Sequence, residues 1–128
     1  MKLLLDTQLV LWAAIAPSRL SARAKSILDH DDNELVYSVA SLWEIVIKRA
    51  LKRSDFQVDP HGLRGGLLDN GYQELPVLAE HALATGALPP IHKDPFDRLL
   101  IAQAVVEGLT LLTADALLTR YDGPVQKI

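Results

Sequence analysis

An α/β domain, with a parallel or mostly parallel sheet covered by helices on both faces, is the fold this sequence predicts. Three observations carry that expectation. Short apolar runs such as Leu3-Leu4-Leu5 and Leu111-Leu112 recur along the chain, as in strands buried on both faces. Segments with helical spacing or capping signals follow these runs, so strands and helices alternate throughout. The chain has 128 residues, 49% of them hydrophobic, which suffices for one core and is short for two. With no internal repeat, low-complexity tract or linker, residues 1–128 are expected to form a single domain.

Lys2 to Leu5 reads as a buried strand and Thr7 to Ala16 as a helix stopped by Pro17. Ser18 or Ser21 caps a second helix running to about Asp29, and the polar cluster Asp29, Asp31, Asp32 and Asn33 makes a turn. Glu34 to Tyr37 is the next strand. A helix begins near Ser38 to Ser41 and continues to about Leu51, with Leu42, Ile45, Val46 and Ala50 on one face. Asp59-Pro60 supplies a cap and an N1 proline for a helix ending at Asn70-Gly71, although Gly62, Gly65 and Gly66 weaken it. Tyr72 to Leu75 is a short strand, Leu78 to Gly86 a helix, and Ala87 to Lys93 a proline-broken loop. Asp94-Pro95 opens the clearest helix, Pro95 to Glu107, closed by Gly108. Thr110 to Thr113 is a strand, Asp115 to Tyr121 a helix, and Val125 to Lys127 a last strand.

Composition excludes several classes. There is no cysteine, hence no disulfide scaffold, thiol nucleophile or cysteine zinc site. Asp6 breaks the first apolar run too early for a signal peptide, and no stretch approaches the roughly 18 uncharged apolar residues of a membrane span. A cytoplasmic protein without membrane association is expected. The net charge of −3 argues against a generic nucleic-acid coat, which would be strongly basic. It does not argue against a nuclease whose carboxylates await a cation. Basic residues cluster locally at Lys48, Arg49, Lys52 and Arg53, and Lys93 and Arg98 flank Asp94 and Asp97.

Carboxylates carry the functional question. Asp6 and Asp115 both come just after short strands, at the sheet edge where open α/β folds handle ligands. Helix capping competes with that reading on even terms for either residue alone. Ser41-Leu42-Trp43-Glu44 matches a capping box, so on the residues alone capping is the stronger reading of Glu44. In Asp94-Pro95-Phe96-Asp97, Asp94 reads as the N-cap and Asp97 as an acid favoured by the helix dipole. Two carboxylates about 5 Å apart at an effective dielectric of about 20 repel by roughly 3 kcal/mol. If Asp6, Glu44, Asp97 and Asp115 converge, the cluster is heavily penalised unless some acids are protonated or a divalent cation is bound, and oxygen ligation favours Mg2+ or Mn2+ over zinc. The histidines His30, His61, His81 and His92 lack ligand spacing, with His92 notable only for adjoining the acidic helix start. Trp12 and Trp43 read as core or interface residues.

The chain resembles the PIN-domain ribonucleases, specifically the VapC toxins of type II toxin–antitoxin systems. The resemblance spans essentially the whole length. It rests on the opening Met1 to Thr7, on Ser38 to Lys48, on the ungapped segment His92 to Ala104, and on Leu112 to Asp115. It implies a three-layer α/β/α domain acting as a metal-dependent endoribonuclease, with Mg2+ or Mn2+ held by Asp6, Glu44, Asp97 and Asp115. Asp94 would be auxiliary, and Thr7, Ser41 and Thr113 would orient carboxylates or water. Lys48 and Arg98 are candidates for phosphate contact or for fixing the acids. The resemblance further implies an RNA substrate, a homodimer, and a cognate VapB-type antitoxin covering the acidic cleft.

Other readings fare worse. A haloacid-dehalogenase-type phosphatase needs an acid two residues after the first, where Gln8 stands. A response receiver needs an acid beside Asp6 and a lysine after the Thr110 to Thr113 strand. A catalytically silent module acting only through its partner would have no use for all four acids.

Overall fold

Alternation along the first strand sets the layers. In β1 (Lys2–Leu5), Leu3 and Leu5 enter one apolar core with Leu9, Val10, Tyr37, Ile45, Leu63 and Leu67. Leu4 enters the opposite core with Val36, Leu100, Ile101, Leu111 and Tyr121. Successive side chains of a strand point to opposite faces, so the apolar run Leu3-Leu4-Leu5 must be covered on both sides. The computed structural model describes residues 1–51 and 58–128, and Lys52 and Arg53 of the basic run lie outside the described residues.

Four more strands complete the sheet: β2 (Glu34–Ser38), β3 (Gln73–Leu75), β4 (Thr110–Thr113) and β5 (Val125–Lys127). Their order is β3-β2-β1-β4-β5 and every neighbouring pair is parallel. Helices α1 (Thr7–Ile15), α2 (Ala22–Asp29), α3 (Val39–Ala50) and α4 (Pro60–Asp69) send residues into the first core. Helix α6 (Pro95–Glu107) fills the second, with α5 (Ala79–Ala84) packed against it. The result is a three-layer α/β/α fold. No helix among the described residues is long and apolar enough to cross a membrane.

Local chemistry accounts for most boundaries. Ser21, not Ser18, caps α2 by accepting from the Ala24 N–H. Asp59 caps α4, which tolerates Gly65 and Gly66 in its interior. Asp94 caps α6, and Gly108 ends it in the left-handed region at φ 67°. Two expected helices are shorter or tighter than their spacing suggested. The segment from Leu78 to Gly86 divides into α5 and a 3₁₀ turn at Thr85–Ala87, and the segment after Asp115 is a 3₁₀ turn at Ala116–Arg120.

The topology fixes the crevice. From β1 the chain steps outward to β2 and β3, then returns to place β4 on the other flank of β1. Strand order therefore reverses between β1 and β4, whose register sets Leu5 beside Leu112. The carboxyl ends of these two strands open the crevice in which such sheets hold ligands.

Candidate active site

Asp6 follows β1 directly and remains on the sheet edge because its N–H donates to the Leu112 carbonyl at 3.0 Å. Its two oxygens are separately engaged. Oδ1 caps α1, accepting from the Leu9 N–H at 2.9 Å, while Oδ2 accepts from Thr113 Oγ1 at 2.6 Å. Capping and a place in the crevice are thus compatible for this residue. Asp6 is only 5% exposed. Burial raises its pKa above the usual carboxylate value, the Thr113 and Leu9 bonds oppose that, and the charges of Glu44 and Asp115 add to it.

Glu44 is not part of a capping box. The cap of α3 is Ser38, whose Oγ accepts from the Ala40 N–H at 3.0 Å. Ser41 and Glu44 consequently lie inside the helix, both buried. Glu44 Oε1 accepts from Thr7 Oγ1 at 2.7 Å, and the Thr7 and Ser41 hydroxyl oxygens are 2.9 Å apart. Lys48, one turn on, brings Nζ within 2.8 Å of Glu44 Oε2. Two polar neighbours, Thr7 and Lys48, thus engage the two oxygens of this buried carboxylate.

The start of α6 brings the remaining acids. Asp94 Oδ1 accepts from the N–H groups of Phe96 and Asp97 at 2.8 and 3.2 Å, so Asp94 is consumed as the cap. Asp97 is left facing the crevice. Its pKa is pushed up to about 7, first by burial and then by Asp94, with Glu44 and Asp6 adding and His92 opposing. Asp115 caps the following 3₁₀ turn through the Leu117 N–H at 2.9 Å, and its own N–H donates to Thr113 Oγ1 at 3.0 Å. Thr113 therefore joins the two strand-end acids, accepting from one backbone and donating to the other carboxylate.

His92, which the sequence marked only by position, bridges Asp97 and Asp115. Its Nε2 lies 3.3 Å from Asp97 Oδ2 and 3.4 Å from Asp115 Oδ2. The Asp94 N–H donates to His92 Nδ1 at 3.0 Å. Nδ1 must then be the acceptor nitrogen and Nε2 must carry the hydrogen. Although these side chains bring donor atoms within 4.8 Å of one another, His92 offers an N–H rather than a lone pair. The donors available to a cation are carboxylate oxygens, which suits a hard ion such as Mg2+ or Mn2+. The same logic applies to Glu80, His81 and Glu107: the Leu78 N–H occupies His81 Nδ1, and Nε2 turns to Glu107.

Asp6, Glu44, Asp94, Asp97 and Asp115 line one cleft of about 320 Å³ together with Thr7, Gln8 and Lys48. The four acids proposed from sequence come from four separate places in the chain and meet here. A larger depression of about 920 Å³, walled by Ala13, Leu20, Leu28, Leu63, Leu67 and Tyr72, includes none of them. Five carboxylates in one lining, with Lys48 as the counter-charge among the described residues, make an acidic cluster able to hold a cation. Arg98 is not brought to the acids. Its guanidinium donates to the carbonyls of Pro89 and Thr85 at 2.9 and 3.0 Å and lies 3.3 Å from the Tyr121 hydroxyl, tying the loop before α6. Trp12 packs against the first core, whereas Trp43 is 61% exposed.

The sequence matches the PIN domain family over residues 3–124. It is 27% identical over 132 residues to Ribonuclease VapC22 of Mycobacterium tuberculosis (strain ATCC 25618 / H37Rv), covering 94% of this chain and 92% of that protein. The fold is similar to a chain of VapBC2 from Rickettsia felis, solved bound to a DNA fragment from its promoter, with a TM-score of 0.74, 15% identity, and coverage of 100% and 99%. It is likewise similar to VapBC-1 from nontypeable Haemophilus influenzae, with a TM-score of 0.65, 20% identity, and coverage of 99% and 98%.

Proposed function

The chain belongs to the PIN domain family, and from that premise we propose that it is a metal-dependent endoribonuclease of the VapC kind, the toxin of a toxin–antitoxin pair. The observation that carries the reading is the convergence of Asp6, Glu44, Asp97 and Asp115 on one cleft. The likeness to a ribonuclease over nearly the whole chain supports it.

Asp6, Glu44, Asp97 and Asp115 would hold Mg2+ or Mn2+. When bound, such an ion supplies Lewis acidity, lowering the pKa of water and neutralising charge on phosphate. The protein's own groups do the rest. Thr113 and the Leu9 N–H fix both oxygens of Asp6, Thr7 and Lys48 fix those of Glu44, and His92 Nε2–H holds Asp97 beside Asp115. Orientation set before substrate arrives removes reorganisation from the reaction step. The cleft acids supply ligand charge, and one of them accepts the proton of the attacking water. Attack by external water, not by the ribose 2′-hydroxyl, leaves 5′-phosphate and 3′-hydroxyl ends. Lys48 gives the cleft a positive charge for the scissile phosphate. A VapB-type antitoxin would cover the cleft, a proposal supported by the VapBC assemblies to which the fold is similar, and the active form would be a homodimer.

Purified protein is expected to cut single-stranded RNA when Mg2+ or Mn2+ is present, to stop in EDTA, and to resume when the ion is restored. Asp6→Asn and Asp97→Asn should each reduce the rate by more than about 100-fold, the upper range for losing a merely supporting partner of a metal site. Cleavage that persists in excess EDTA would refute the reading.

A further inference from the structure

Two aromatic rings each belong to the residue immediately before one of the acids that line the cleft. Trp43 precedes Glu44 on α3 and Phe96 precedes Asp97 on α6. Consecutive helix positions point about 100° apart, so while Glu44 turns into the cleft, Trp43 turns outward beside it. The rings touch edge to face, with centroids 5.3 Å apart and planes at 72°. Phe96 is half-buried, and Trp43 is 61% exposed despite its size. Other exposed large apolar residues, such as Ile15, Leu68 and Leu83, carry no aromatic surface. A tryptophan left this open is unusual, since most of its area is commonly covered.

We propose that the Trp43–Phe96 pair is a stacking platform for the nucleobase adjoining the phosphodiester that is cut. This deepens the ribonuclease reading and rests on it. A phosphate drawn to the carboxylate cleft carries its neighbouring bases with it by covalent attachment, which places them at the rim. An aromatic face there accepts any base whose stack has been opened, so the platform selects single-stranded or looped RNA without selecting a sequence. Phe96 packs against the indole, which keeps enough exposed surface to receive a base. Lys48, which lines the cleft from the same helix, supplies positive charge to the phosphate that carries the stacked base.

The test compares a short oligoadenylate with a chain of equal length made of base-free ribose phosphates, both bound to the Asp97→Asn protein so that neither is cut. The parent should prefer the oligoadenylate, and Trp43→Ala should lower that affinity by about 5- to 150-fold, the range for removing one base–aromatic stack. Its affinity for the base-free chain should stay the same, and Trp43→Phe should restore most of the preference. Light scattering on the same samples should give an unchanged oligomeric state. Equal loss on both chains, no loss on either, no binding of either chain by the parent, or a shift in oligomeric state, which would assign the face to a second protein surface, overturns the proposal. Cleavage of RNA by the unaltered protein reports on the nuclease reading separately. A protein that cuts RNA while Trp43→Ala binds like its parent sinks the platform alone.

Discussion

Thr113 spans the two strand-end acids with a single hydroxyl, and its loss tests how that hydroxyl is used. Thr113→Val keeps the shape but strips Asp6 Oδ2 of its donor and the Asp115 N–H of its acceptor. Unfolding in urea should show a loss of about 1–3 kcal/mol, the cost of stranding buried polar groups. Thr113→Ser should lose far less, because the hydroxyl survives. At this scale the sequence was legible for residue type and ambiguous for role. Glu44 stands three residues after Ser41 and so matches a capping box, yet the helix starts earlier because Ser38, the last residue of β2, is the cap. Either serine suits an N-cap, and only the end of the preceding strand decides between them. Asp6 shows the reverse case, where capping and placement in the cleft share one side chain.

Helix α6 was readable end to end, since Asp94-Pro95 and Gly108 are strong start and stop signals and the observed caps agree with them. The segment before it was not. Arg98 reads as a cation beside two acids, but its guanidinium instead gathers the carbonyls of Thr85 and Pro89. Backbone carbonyls leave no trace in residue identity, so nothing in the sequence announces this clamp. Arg98→Lys keeps the charge and loses the fork. A lysine that served phosphate contact would leave the thermal midpoint in place. The clamp instead requires that Arg98→Lys lower it by several degrees, as about 1 kcal/mol does in a domain of this size. The 3₁₀ turn at Ala116–Arg120 shows a related limit: five residues fixed by a cap at Asp115 and docking of Leu118 are too few for periodicity to separate a tight turn from an α-helix.

Across the whole molecule, the gathering of acids sets a pH dependence. Asp97 has an ordinary value of 3.8 and is pushed up to about 7 in the fold. Between about pH 4 and 7 the folded protein therefore keeps a proton that the unfolded chain has released, and stability falls as pH rises through that window. Buried Asp6 is shifted in the same direction. Metal-free protein should accordingly melt at higher temperature near pH 5 than near pH 7.5. Added Mn2+ should restore stability at the higher pH, by about 2.7 kcal/mol at a hundredfold excess over its dissociation constant. Differential scanning calorimetry checks both, and a midpoint flat across pH and metal would contradict the shared-charge account. The sequence by itself determined the alternation of strands and helices and the double burial of β1 and β4, which follow from local periodicity and caps, and its resemblance to a family added Glu44 to the candidate acids that the strand ends and the α6 start supplied. The tertiary structure alone decided that β4 returns beside β1, that acids about a hundred residues apart share one cleft, and that His92 bridges two of them. Those facts depend on strand order and backbone register, which arise from packing over the whole chain and are written in no single stretch of it.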